Sequence, residues 1–164
     1  MLTVEGSRKA PGLKFAVVVS KFNDFVTDRL QTGALEGLES AGVLRDDVCV
    51  IKVPGAFEIP FAAKEAAERG NVAAVICLGC LIRGATAHFE YIASACAHGI
   101  TDAAAATGVP MTFGVLTTNS VEEALERAVD GPANKGWEAA VAAVEMATLQ
   151  QMLRQPRSAN GVKA

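Results

Sequence analysis

Ala73-Ala-Val-Ile-Cys-Leu78, running into Gly79-Cys-Leu-Ile-Arg-Gly-Ala-Thr-Ala-His88, is the stretch whose reading decides the fold. The first six residues are apolar without a polar interruption and too few to cross a bilayer. This is the pattern of a short strand buried on both faces, as parallel sheets sandwiched between helices require. On its amino-terminal side, Pro60 suits the first turn of a helix whose alanine-rich body (Ala62, Ala63, Ala66, Ala67) stops at Gly70. On its carboxyl side a helix is predicted from about Thr86 to Thr107.

Further out the alternation repeats. Lys14–Val19, Val48–Val53 and Met111–Val115 read as three more strands. Asp24–Ala41 carries Val26, Leu30, Ala34, Leu38 and Ala41 at helical spacing, with Gly42 as its stop. Ser120-Val-Glu-Glu123 is a capping box opening a short helix to Val129, and Asn134 can cap a last helix that Pro156 cannot continue. Four strands alternating with helices predict an α/β fold: a parallel sheet with helices on both faces.

Composition narrows the function classes. The 164 residues are 51% hydrophobic and 20% charged, with 15 Lys+Arg against 18 Asp+Glu. A net charge of −3 leaves no basic excess for nucleic acid, and the apolar fraction excludes disorder. So little charge covers a small domain thinly, which points to apolar surface buried between subunits. The longest apolar stretch, Ala73–Ile82, is too short for a membrane span, and Met1–Gly12 lacks a secretory h-region, so a cytoplasmic protein is expected. Cys49, Cys77, Cys80 and Cys96 are expected to be buried free thiols. Cys77 and Cys80 have CxxC spacing, but an odd offset in a strand sends them to opposite faces, so neither metal nor redox chemistry is expected.

In open parallel sheets ligands bind beyond the carboxyl ends of the strands. Those ends are Ser20–Asp24, Pro54–Ile59, Gly79–Phe89 and Phe113–Asn119. Taken alone, Phe22 and Asn23 fit a hydrophobic staple and an N-cap. Val53-Pro-Gly-Ala-Phe-Glu-Ile-Pro60 is stiffened by two prolines. It fits either a ring-stacking loop with an acid or a plain connection with Glu58 favoured by the helix dipole. Gly79–Thr86 resembles a nucleotide-binding P-loop, but Ala85 stands where the lysine must be. Backbone N–H groups and the Thr86 hydroxyl at a helix start suit a smaller phosphate. His88, one step further on, is a candidate for proton transfer or a structural histidine, whereas His98 falls mid-helix. Arg127 and Lys135 are solvated helix charges unless a phosphate lies nearby.

Five blocks in order now carry a resemblance: FN at 22–23, VPGAFEIP at 53–60, IRGATAHFEY at 82–91, FGVLTT at 113–118 and NKGWEAA at 134–140. Over residues 13–153 the chain resembles the lumazine synthase family of riboflavin biosynthesis. The resemblance implies a three-layer α/β/α sandwich around a flavodoxin-like four-stranded parallel sheet. It also implies condensation of 5-amino-6-(D-ribitylamino)uracil with 3,4-dihydroxy-2-butanone 4-phosphate, without cofactor or metal. By resemblance Phe22 stacks on the pyrimidine, Ala56, Phe57 and Glu58 hold the ribityl chain and ring edge, and Cys80, Leu81 and Ile82 meet the ring through their backbone. Ala85, Thr86 and Arg127 would hold the phosphate, with Phe113 and Lys135 beside it, and His88 would move protons. Phe113 and Arg127 would come from a neighbouring subunit.

Departures are Cys80 and Lys21, where relatives are expected to carry Thr and Arg. The resemblance further implies pentamers, and in some members shells of sixty subunits, to which the short Gly131-Pro132-Ala133 connection is suited. Residues 1–12 would be an arm adding a strand to a neighbour's sheet, 13–154 the single domain, and 155–164 a flexible tail. Small molecules and riboflavin synthase are the other partners implied. The alternative is a non-catalytic flavin- or lumazine-binding, or shell-forming, protein on the same scaffold.

Overall fold

The computed structural model describes residues 1–155 and joins the apolar runs into one sheet. Strands β1 (Phe15–Ser20), β2 (Val48–Val53), β3 (Ala74–Ile82) and β4 (Met111–Thr118) are all parallel, in the order β2-β1-β3-β4. Val17 pairs with Val50 on one side and Ile76 on the other. Every residue of β1 is buried, as the apolar run Phe15–Val19 demands, and Ser20 is buried with them.

Helices cover both faces. Val26, Leu30, Ala34 and Leu38 of α1 (Asp24–Ser40) pack on Val17, Val19, Ile76 and Leu78 together with residues near the chain end. On the opposite face, Ile59 and Ala63 of α2 (Ile59–Glu68) and Cys96 and Ile100 of α3 (His88–Thr107) pack on Ala16, Val18, Val75 and Cys77. Beyond β4 come α4 (Val121–Glu126) and α5 (Lys135–Arg154), which return to the α1 face through Ala124, Ala140, Ala143 and Val144. The result is the three-layer α/β/α architecture, with the strand order of a flavodoxin-like sheet.

The junction of α1 and α5 is tight. Asn134 caps α5, its side-chain oxygen accepting from Gly136 N at 2.7 Å, while its Nδ2 donates to the carbonyls of Arg29 and Val129. A Cβ on Gly136 would lie 1.9 Å from the Leu30 carbonyl oxygen, so only glycine permits this approach.

Boundaries differ from expectation where pairing overrides local signals. Strands β3 and β4 run on to Ile82 and Thr118, because Gly79–Ile82 pair with Val115–Thr118. Gly79 therefore lies inside a strand and not in a loop. Helix α3 starts at His88, not Thr86, and α4 ends at Glu126, not Val129. Ser120 caps α4, accepting from Glu123 N at 3.1 Å, but the Glu123 carboxylate accepts from Asn119 N instead of closing the box on Ser120. Cys77 and Cys80 fall in opposite core clusters, as their odd offset requires. Cys49 corrects the expectation of four buried thiols: β2 is an edge strand and this cysteine is exposed, although all four are free.

Residues 1–12 form no strand within the chain. Ser7 N donates to Thr148 Oγ1 at 2.8 Å, fastening this segment to α5, while Leu2 and Val4 remain exposed. Pro156 and nearly all of the expected tail at 155–164 lie outside the described residues. No described helix is long and apolar enough to cross a membrane.

Candidate active site

The chain order reverses between β1 and β3, and at such a switch point the connections diverge and leave a crevice. There the structure has a cleft of about 740 Å³, within the size range of small-molecule sites. It is lined by Phe22 after β1, by Pro54–Glu58 after β2, and by Leu81, Ile82, Gly84, Thr86, His88, Phe89, Tyr91 and Ile92 along the end of β3 and the start of α3.

The walls are held by backbone bonds. Lys21 N donates to the Val53 carbonyl at 2.7 Å and Phe22 N to that of Pro54 at 3.1 Å, so the first two strand ends are stitched together. Asn23 sits in the left-handed region (φ 60°, ψ 46°) and makes no capping bond with its side chain. Its Nδ2 instead donates to the Cys80 carbonyl at 2.9 Å, bridging β1 to β3 across the switch point. The N-cap expectation for Asn23 is thus corrected: it occupies the cap position but serves a tertiary contact. Phe22 is 68% exposed, which a staple beneath a helix would not be, and its ring faces the cleft. Phe57 is similarly exposed at 61%. Two aromatic faces bared at one crevice are a place for a planar ring.

Glu58 closes the short turn before α2, and its carboxylate accepts from Gly55 N at 2.9 Å, leaving the other oxygen for a donor. Cys80 does not line the cleft: its thiol is buried in the cluster beneath α1, and its carbonyl is taken by Asn23. Burial pushes that thiol up to about 11, so at neutral pH it is protonated and no nucleophile. His88 is the first residue of α3, exposed, and among the described residues makes no side-chain hydrogen bond. Ala85 lies in the exposed loop between Gly84 and Thr86 without lining the cleft itself.

Phe113, Arg127 and Lys135 are elsewhere. They line a separate groove of about 480 Å³ between β4 and α5, with Thr112 and Glu138. Within one chain the residues expected to form the site are therefore divided between two surfaces. In the groove Lys135 is ion-paired with Glu138 at 2.7 Å, whereas among the described residues Arg127 has no carboxylate partner and donates only to the Glu123 carbonyl at 2.8 Å. Arg127 is thus the groove's uncompensated cation.

Sequence reasoning missed Tyr91, Ile92 and Glu138. Their signal was helical spacing: Tyr91 and Ile92 stand three and four residues beyond His88, and Glu138 three beyond Lys135. Among the described residues no three His, Cys, Asp or Glu side chains gather as for a metal.

Known proteins show which family the chain belongs to. The family model described as 6,7-dimethyl-8-ribityllumazine synthase matches residues 12–151. A protein of that name from Syntrophus aciditrophicus (strain SB) is 50% identical over 149 residues, covering 91% of this chain and 97% of its own. Another of the same name from Desulfatibacillum aliphaticivorans is 44% identical over 151 residues, covering 92% and 97%. With a match across nearly the whole fold, including both the cleft and the groove, the chain belongs to the 6,7-dimethyl-8-ribityllumazine synthase family.

Proposed function

We propose that this protein condenses 5-amino-6-(D-ribitylamino)uracil with 3,4-dihydroxy-2-butanone 4-phosphate to 6,7-dimethyl-8-ribityllumazine, releasing phosphate and water. The observation that carries this is the crevice at the sheet's switch point, where Phe22, Phe57, Glu58 and His88 converge in a chain of this family. Phe22 stacks on the pyrimidine, Ala56, Phe57 and Glu58 take the ribityl chain and ring edge, and Leu81 and Ile82 border the ring, with the Cys80 backbone behind them. The phosphate binds at the loop of Ala85 and Thr86, at the positive end of a twenty-residue helix.

The substrate amine attacks the ketone, whose oxygen leaves as a first water as the imine forms, with His88 moving the protons. Phosphate is then eliminated, its charge held by Arg127 and the Thr86 region, and ring closure with loss of water completes the product. Most of the acceleration comes from holding two substrates in register. General acid–base help from His88 is worth about 10²–10⁴-fold.

The groove holding Phe113, Arg127 and Lys135 completes the cleft of an adjacent subunit in a cyclic pentamer. The separation of the two surfaces within one chain supports this reading, as do the bare aromatic residues Tyr91 and Phe113, 75% and 47% exposed. Leu2–Gly6, which leaves Leu2 and Val4 exposed, is the arm that adds to a neighbour's sheet, and pentamers of this kind can close into a sixty-subunit shell. Three buried free thiols suit a reducing cytoplasm.

The test is to mix purified protein with both substrates in metal-free buffer and follow the fluorescent lumazine. Turnover well above background is expected. Tight binding of the pyrimidine without turnover would replace this reading with that of a binding module, and neither would leave a shell protein.

A further inference from the structure

We propose that Arg83 is a positioning residue that sets both phosphate-holding elements, an inference that rests on the function proposed above. Arg83 is the first residue after β3. Its backbone N donates to the Thr118 carbonyl at 2.8 Å, and its Nε donates to Asn119 Oδ1 at 3.1 Å, both beyond or at the end of β4. Its Nη1 is hydrogen-bonded and ion-paired with the Glu90 carboxylate, and the guanidinium carbon lies 4.6 Å from the centre of the Phe89 ring. The planar fork is therefore engaged by Asn119, Glu90 and Phe89 at once and turned toward the protein.

The loop this arginine governs has little else to place it. Residues 83–88 are all exposed, no side chain from 84 to 88 makes a hydrogen bond among the described residues, and a Cβ on Gly84 would meet nothing within 4 Å. Burial cannot fix such a segment. Its two ends can: Arg83 is pinned to β4, and the opening turn of α3, with His88 beside Phe89 and Glu90, is pinned to Arg83. Thr86 hangs between those anchors.

A second arm leaves from the same side chain. Asn119, which accepts from Arg83, donates its backbone N to Glu123 Oε2 at 2.9 Å, and the Glu123 carbonyl accepts from Arg127 Nη1 at 2.8 Å. The relay Arg83–Asn119–Glu123–Arg127 thus runs from the residue between cleft-lining Ile82 and Gly84 to the groove. In an assembly where the groove serves a neighbour, each Arg83 bears on two adjacent sites.

The test uses Arg83→Met, which keeps the stem and loses the fork, and Arg83→Lys, which keeps only the charge. Inorganic phosphate binding is measured by calorimetry on the assembled protein, alongside KM for each substrate. Both variants should weaken phosphate binding and raise KM for the butanone phosphate by about ten- to hundred-fold, the size of one charge-assisted hydrogen bond to the anion. KM for the pyrimidine, held by the other wall, should stay within about two-fold of wild type. Rescue by Arg83→Lys, or an equal loss for both substrates, would overturn the proposal. Should both Arg83 variants fail to assemble, Asn119→Ala carries the test: unchanged phosphate binding there would overturn the relay, and weakened binding would uphold it. A wild-type protein that binds phosphate without turnover would sink the proposed reaction while leaving the phosphate comparison to decide the role of Arg83.

Discussion

Asn23 is the residue whose replacement separates backbone strain from a tertiary hydrogen bond. It holds φ at 60° and bonds the Cys80 carbonyl at 2.9 Å. A residue with a Cβ and no local polar compensation costs about 1–2 kcal/mol in the left-handed region. Loss of a neutral hydrogen bond, here part-buried, costs about 1 kcal/mol. Asn23→Ala combines both and should cost about 2–3 kcal/mol, whereas Asn23→Gly, free at this φ, should cost only about 1 kcal/mol. The assay is urea unfolding at one fixed protein concentration, because association contributes to apparent stability. Since Phe22 precedes Asn23 directly, Asn23→Ala should also raise KM for the pyrimidine. Alanine and glycine variants agreeing within about 0.3 kcal/mol would refute the strain argument. A glycine variant as stable as wild type would refute the contribution of the bridge to β3.

His88→Ala should lower kcat by no more than about 10²–10⁴-fold and leave turnover above background, while Arg127→Ala should cost more in kcat/KM for the butanone phosphate; a wholly dead His88→Ala would reverse that ordering. Mixing Arg127→Ala subunits with Glu58→Ala subunits, then reassembling, should restore activity at about one quarter of the sites if cleft and groove meet across subunits, and none if they serve the same chain. Gly136→Ala, whose Cβ would sit 1.9 Å from the Leu30 oxygen, should destabilise the chain by about 1–3 kcal/mol or prevent folding, and an unaltered urea midpoint would contradict the α1–α5 geometry. Burial raises the Cys80 and Cys96 thiols from 9.0 to about 11, so the stability they contribute is complete below about pH 9 and lost as pH rises through 11. Replacing both by alanine should lessen the alkaline decline in the urea midpoint without abolishing it, because burial raises the Cys77 thiol further still, and an unchanged slope would contradict this.

Residue order by itself determined the layering and the region of the site. Short uninterrupted apolar runs such as Ala73–Leu78, holding β-branched residues and alternating with helices, fit central strands buried on both faces, and the helices between them force parallel crossovers, which put binding loops at the carboxyl ends. The placement of Phe22, Glu58 and His88 at the cleft was legible because they fall within six residues of those strand ends. The capping of α5 by Asn134 was legible too, since a cap acts over two or three residues. What acts between distant segments was not. The extensions of β3 and β4 depend on each other's register, and the exposure of Cys49 depends on β2 lying at the edge. Asn23 looked like a cap because its neighbours in sequence are helical, and only the arrival of Cys80 from 57 residues away claims its side chain. Arg83 carried no local signal at all, because its partners come from β4 and from the next helix. The division of Phe113 and Arg127 from the cleft was likewise a matter of tertiary structure. Local patterns select the elements, and the packing of those elements decides which side chains meet.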